Sequence, residues 1–118
     1  MVDAQCHCGA VSIVINGELA EVTECNCSIC RRYGVLWAYF SPREVQVKPA
    51  TGATDTYSWD DRSIEFHRCR QCGCVTHWQA LDPTRDRIGV NARLIAPEIV
   101  ARARLRHLDG ANTEQYLD

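Results

Sequence analysis

The chain has 118 residues, 46% hydrophobic and 24% charged, an ordinary globular balance that excludes a disordered tail, a collagen-like repeat and a long coiled coil. Such a length suits one domain over residues 1–118 with a modest core. A formal net charge of −2 offers no general attraction to nucleic acid, and metal-bound thiolates would push it further negative.

In chain order, Met1 to Gln5 lacks the basic and apolar regions of a secretory signal, and Cys6 comes too early to leave room for one, so a cytoplasmic location is expected. Val11, Ile13 and Ile15 alternate with polar neighbours up to Gly17, which predicts a strand over Ala10–Asn16 opened by Cys6 and Cys8. Gly34–Phe40 is rich in aromatic and β-branched residues and predicts a second strand; Ser41-Pro42 breaks it before a third over Glu44–Val47. The longest uncharged apolar stretch, Tyr33–Phe40, falls far short of the roughly 20 residues that span a bilayer, so no membrane partner is expected. Thr54–Trp59 and Ser63–Arg68 flank Asp60-Asp61-Arg62 as arms of a hairpin, and the second arm runs into Cys69. Val75–Gln79 and Arg87–Val90 predict two more strands, separated by the turn-like Leu81-Asp82-Pro83-Thr84. Pro97-Glu98 supplies the start signal for a helix, and Leu105–Leu108 returns to strand. The expected fold is therefore mainly β, with at most one short helix.

Eight cysteines stand out in this chain. In a reducing compartment they point to metal or redox chemistry rather than disulfides. They fall in three groups: Cys6 and Cys8; Cys25, Cys27 and Cys30; and Cys69, Cys72 and Cys74. In an extended Cys6-His7-Cys8 both sulfurs project from one face, while a tight turn over Cys69-Arg70-Gln71-Cys72, relieved by Gly73, converges two more. Two such halves make one closed tetrahedral site, so Cys6, Cys8, Cys69 and Cys72 are expected to hold a structural Zn²⁺ that staples the first strand to a segment some sixty residues later. The middle group offers three sulfurs within six residues, the pattern of a zinc site that keeps its fourth position for water or substrate. The alternatives are a second closed site completed by Cys74 or His77, and a reactive thiol cluster without metal. Cys74 is otherwise expected to be a small apolar residue and is left out of the ligand set.

Taken together, Cys6-His7-Cys8-Gly9-Ala10-Val11, Cys25-Asn26-Cys27-Ser28-Ile29-Cys30-Arg31-Arg32 and Phe66-His67-Arg68-Cys69-Arg70-Gln71-Cys72-Gly73 resemble the glutathione-dependent formaldehyde-activating family, which includes centromere-protein-V-like members. The resemblance runs from Gln5 to about Gly110 and ends in Asn91-Ala92-Arg93 and His107-Leu108-Asp109-Gly110. It implies a β-tent of several short coiled antiparallel sheets, stapled by zinc. It also implies a structural zinc on Cys6, Cys8, Cys69 and Cys72, and a labile catalytic one on Cys25, Cys27 and Cys30. The implied activity is a carbon–sulfur lyase reaction run in reverse, joining glutathione and formaldehyde into S-(hydroxymethyl)glutathione. Arg31 and Arg32 directly follow the triplet and are expected to hold the carboxylates of a peptide thiol, since the guanidinium fork matches a carboxylate. Two readings of other classes stand beside the enzyme: a non-catalytic zinc scaffold that binds a protein partner, and a thiol redox or metal-buffering protein.

The remaining polar and aromatic residues have plainer roles. His7 is expected at the surface. His67 and His77 are expected to be structural histidines rather than ligands or proton donors. Trp37, Tyr39, Trp59 and Trp78 lie on predicted strands, where such residues mostly form core, with room for one to wall a pocket. Arg102, Arg104 and Arg106 alternate as a solvated strand face does.

Overall fold

In a computed structural model that describes residues 1–118, ten short strands form two sheets. Strands β1 (Val2–Gln5), β2 (Ser12–Ile15) and β5 (Val45–Lys48) make a three-stranded antiparallel sheet in the order β1-β2-β5. The second sheet is built from β3 (Glu21–Cys25), β4 (Trp37–Phe40), β6 (Thr54–Tyr57), β7 (Ile64–Cys69), β8 (Val75–Ala80), β9 (Ile88–Asn91) and β10 (Arg104–Leu108). Its order is β10-β3-β4-β9-β8-β7-β6, antiparallel throughout except that β10 lies parallel to β3. The architecture is mainly β, as expected. The one parallel pair departs from the all-antiparallel expectation, because β10 reaches β3 from across the chain rather than through a hairpin.

Period-two alternation builds the core. Ile13 and Ile15 point inward from β2 and pack with Val22 of β3, Ala38 of β4 and Val90 of β9, which joins the small sheet to the large one. Each fully buried Ile or Val contributes about 1.5–3 kcal/mol relative to exposure. Cys25, Cys30, Val35, Trp37, Phe66 and Trp78 form a second apolar cluster, so two of the middle cysteines are packed into its wall. Trp59 is not core: it is 40% exposed, beyond the end of β6.

The chain has two short α-helices where at most one was expected. Helix α2 (Pro97–Val100) starts at the predicted Pro-Glu signal. Helix α1 (Ser28–Tyr33) is the addition, and it lies within the middle cysteine group. Its N-cap is Cys27, a residue outside the usual capping set, and Gly34 closes it in the left-handed conformation at φ 68°. Gly34 therefore ends a helix and does not begin a strand; β4 starts only at Trp37. Strands β1 and β3 also went unpredicted. β1 is only four residues long, and the alternation of β3 is broken because Val22 and Thr23 are both buried. No helix is long and apolar enough to cross a membrane.

Candidate metal centres

The first cysteine pair sits in the turn between β1 and β2, not in an extended strand. The Gly9 N–H donates to the Cys6 carbonyl at 3.1 Å, and the Cys6 N–H donates to the Val11 carbonyl at 3.0 Å. After β7 the chain repeats this arrangement: the Gly73 N–H donates to the Cys69 carbonyl at 2.9 Å and the Cys69 N–H to the Cys74 carbonyl at 2.9 Å. Gly9 and Gly73 close the two turns at φ 83° and 80°, a region that costs a residue with a Cβ more than it costs glycine. Both turns aim amide hydrogens at sulfur. Val11 N–H lies 3.3 Å from Cys6 Sγ, Ala10 N–H 3.5 Å from Cys8 Sγ, and the Gln71 and Cys72 amides 3.4 and 3.5 Å from Cys69 Sγ.

These two turns bring Cys6, Cys8, Cys69 and Cys72 together, with all four sulfurs within 4.8 Å of one another. Tetrahedral Zn–S bonds of about 2.3 Å place sulfurs about 3.8 Å apart. Cys6 Sγ and Cys8 Sγ are 3.7 Å apart, and Cys8 Sγ and Cys69 Sγ 3.6 Å, so the set fits a tetrahedral ion, and all eight cysteines are free thiols. The amides also favour the thiolates that a metal needs. N–H donation from Cys74 and Cys8 brings Cys72 down to about 5. Donation from Cys72 and Gln71 lowers Cys69. Cys8, although the Ala10 amide pulls the other way, is pushed up to about 12 by desolvation and by sharing hydrogens with Cys69, Cys6 and Cys72. Cys74 packs on this cluster but lies outside the four-sulfur set.

Cys25, Cys27 and Cys30 form the second set, again with sulfurs within 4.8 Å of one another. Cys25 ends β3 opposite Leu108 of β10, whereas Cys27 caps α1 and Cys30 stands on its first turn. Cys27 Sγ accepts the Cys30 N–H at 3.4 Å, and Cys30 Sγ accepts the Trp37 indole N–H at 3.3 Å. No fourth Cys, His, Asp or Glu joins this set. Cys74 belongs to the other cluster, and the His77 Nδ1 pairs with the Thr76 hydroxyl at 2.8 Å. Without metal, the Cys30 thiol shares its hydrogen with Cys25. Together with the Cys27 and Gly110 amides this lowers Cys25 to about 6, and Cys30 is pushed up by the same sharing and by burial.

Three features around the triplet had no signal in cysteine spacing. Asp109, buried, accepts the Asn26 side-chain amide at 2.8 Å, and Asn26 in turn accepts the Ala111 N–H at 2.9 Å. This clamp holds the loop after β10 over the residue between Cys25 and Cys27. Gly110 lies so close that a Cβ there would fall 2.6 Å from Cys25 Sγ. Finally, the buried Asn91 donates to the Val75 carbonyl at 2.8 Å and accepts the Leu36 and Arg93 amides, while Arg93 Nε donates to the Gly34 carbonyl at the end of α1. The Asn-Ala-Arg and Asp-Gly motifs thus act as struts for the triplet.

His7 is exposed and His77 is buried. The His67 and His77 rings stack at 4.2 Å on β7 and β8, and His67 bonds Thr54 at 2.8 Å and Glu65 at 3.2 Å. Burial, with a smaller contribution from His67, lowers His77 to about 3. An unfolded histidine takes up its proton near pH 6.5, so His77 contributes stability above that pH and loses it as pH falls toward 3. By pH 5 the loss reaches about 2 kcal/mol. Chemical denaturation at pH 7 and 5 should show this slope in the native protein, and a His77→Asn variant should lack it. An identical slope in the variant would assign the acid sensitivity elsewhere.

Arg31 and Arg32 occupy the last turn of α1, both exposed. Arg32 Nη1 donates to the Ser28 carbonyl at 2.8 Å and lines a cleft of about 490 Å³ beside the helix; Arg31 does not line it. Arg104 and Arg106 lie on β10 within 3.9 and 3.7 Å of Glu21, and Arg102 precedes the strand. Arg102 and Arg104 are exposed as expected, but Arg106 is not part of a solvated face: its guanidinium stacks on the Tyr116 ring at 3.8 Å and its Nε is buried.

Most of the chain resembles known proteins. A crystal structure of a Rhodobacter sphaeroides protein from a structural-genomics programme superposes with a TM-score of 0.71 at 28% identity, covering 87% of this chain and 98% of that one. Among curated proteins, no significant match was found. The family model described as glutathione-dependent formaldehyde-activating enzyme matches residues 1–108, which takes in both sulfur sets. This chain therefore belongs to the glutathione-dependent formaldehyde-activating enzyme family.

Proposed function

We propose that the protein catalyses addition of glutathione, or a similar small thiol, to formaldehyde or another small aldehyde, with one structural zinc and one labile zinc. A single observation carries this reading: a three-sulfur set with no fourth protein donor stands beside a four-sulfur set in a chain of this family. Cys6, Cys8, Cys69 and Cys72 would hold the structural ion, and Cys25, Cys27 and Cys30 the labile, catalytic one. When bound, zinc supplies positive charge that favours the thiolate form of a neighbouring thiol at neutral pH.

In the reaction the thiol sulfur forms a C–S bond to the carbonyl carbon, the C=O π pair moves to oxygen, and the thiol's proton ends on that oxygen. No oxidant or reductant is needed. The task of the chain is to position the partners. The Asp109–Asn26 clamp and the Trp37 indole keep the three sulfurs oriented, and Arg32, in the last turn of α1, holds a carboxylate of the thiol. The free cysteines suit a reducing compartment, and we assign the protein to the cytoplasm.

Zinc analysis before and after mild chelation, paired with formaldehyde-dependent loss of free glutathione, tests the reading. Two zincs per chain, one of them removable, and a rate clearly above the spontaneous reaction are expected. Cys27→Ser should lose the removable zinc and about 100-fold or more in rate, since losing a ligand costs at least as much as the roughly 10–100-fold that follows loss of a group behind one. A single tightly held zinc and no rate above background would instead favour the scaffold role.

A further inference from the structure

We propose that a pocket between β3, β4 and β10 is a binding site for a small α-amino acid with an apolar side chain. Arg87 and the Tyr39 hydroxyl take its carboxylate, Glu18 and Glu21 take its ammonium group, and Ala20 and Phe40 take the side chain. The proposal depends neither on the thiol–aldehyde reading above nor on either metal centre.

The pocket measures about 440 Å³, within the range of small-molecule sites. Strand register builds it. Arg106 of β10 lies opposite Thr23 of β3, and Thr23 lies opposite Trp37 of β4, so Tyr39, two residues further along β4, shares their face of the sheet. Tyr116 closes one side: its hydroxyl bonds the Thr23 hydroxyl at 3.1 Å, and its ring carries the Arg106 guanidinium. On the β9 side the Arg87 guanidinium lies 4.2 Å from the centre of the Tyr39 ring. Stacking holds each guanidinium by its face and leaves the edge, where the N–H donors lie, for other partners.

The lining dictates the ligand's chemistry, because groups of both charges stand in it uncommitted. Arg87 and Glu18 make no ion pair and no side-chain hydrogen bond within the chain, and the Tyr39 hydroxyl has no partner. Glu21 lies 3.9 and 3.7 Å from Arg104 and Arg106, beyond hydrogen-bond length, so its oxygens can still accept. Arg106 already donates to the Asp118 carbonyl at 3.2 Å, which leaves Arg87 as the fork for a carboxylate. A ligand of one charge would cover the opposite set and leave it unpaired, whereas a zwitterion satisfies both. An α-amino acid carries ammonium and carboxylate on one carbon, and the rest of the wall, with Ala20, Phe40 and the tyrosine rings, suits an apolar side chain.

Two other clefts lack this balance. The cleft of Arg32 and Arg68 beside α1 contains no acid. The one around Glu24 and His107 contains no arginine or lysine, and its histidine is already paired to Asp118 at 2.9 Å.

Amide chemical shifts in nuclear magnetic resonance read the site residue by residue. The zinc-loaded, isotope-labelled protein is titrated with L-norvaline, with pentanoate, which lacks the ammonium group, and with butylamine, which lacks the carboxylate. Saturable shifts centred on Thr23, Tyr39 and Arg106 are expected for norvaline, with pentanoate and butylamine weaker by about tenfold or more. Arg87→Ala and Glu18→Gln should each weaken norvaline about tenfold or more, with Arg87→Lys intermediate. Arg62→Ala, in the β6–β7 turn at the far end of the large sheet, should change nothing. No saturable shift at these residues overturns the proposal. Equal binding of pentanoate or of butylamine, the mark of a site for a single charge, overturns it as well. Norvaline held instead by zinc at the triplet would shift residues around Cys25, Cys27 and Cys30 and keep its affinity in both weakened variants, and that result also overturns it.

Discussion

Cys69→Ser is expected to remove the cooperative fold at 37 °C. The sulfur it replaces is almost fully buried at the end of β7, takes two amide hydrogens, and lies 3.6 Å from Cys8 Sγ, a residue 61 positions away. A serine oxygen is a poor zinc donor, so the variant would forfeit most of the binding free energy. Structural zinc in small domains carries apparent values of about 10–16 kcal/mol. A typical domain is stable by only about 5–15 kcal/mol, so the loss compares with the whole stability of the protein. Far-ultraviolet circular dichroism with thermal melting should show no transition for the variant, and exhaustive chelation should bring the native protein to the same state. A variant that melts cooperatively within a few degrees of the native protein would remove the staple from the account.

Gly110→Ala should strike the second centre while sparing the first. The new Cβ would stand 2.6 Å from Cys25 Sγ, closer than packed atoms tolerate, and a tight 3.3 Å from Cys27 Cβ. The loop cannot simply withdraw, because Asp109 ties it to Asn26 and to Thr113, and Leu108 is paired with Cys25. The Cys25 sulfur must yield instead, and the triplet loses its shape. Metal affinity at this site is expected to fall about 10–100-fold, the usual effect of disturbing groups behind the ligands. Cobalt(II) substitution reads both centres: the thiolate-to-metal bands of the four-sulfur set should persist, and those of the triplet should weaken and become easier to displace with a chelator. Equal cobalt affinity in variant and native protein at the triplet would show that the loop accommodates the methyl group.

Much of the architecture could be read from residue order. Alternation announced β2 through Val11, Ile13 and Ile15, and the Asp60-Asp61-Arg62 break announced the β6–β7 hairpin. Helix α1 was missed because its cap is a cysteine, although Arg31 and Arg32 ahead of Gly34 form a basic last turn with a glycine stop. The first cysteine pair was read as part of an extended segment because alternation begins at Val11; the hydrogen bond from Gly9 to Cys6 makes it a turn.

The grouping of the sulfurs into local pairs and a triplet was inherent in the order of residues, but that neither Cys74 nor His77 completes the triplet was decided by the fold. A Cys-x-Cys or Cys-x-x-Cys pair converges through local backbone geometry, which depends on near neighbours. The loop of Asp109 and Gly110 over the triplet, and the cleft that Arg32 of α1 shares with Arg68 of β7, were settled by tertiary structure alone. These contacts join segments tens of residues apart, and what brings them together is strand register, above all β10 alongside β3 and β6 paired with β7. Register is the collective outcome of packing both sheets, so no short stretch of chain contains it.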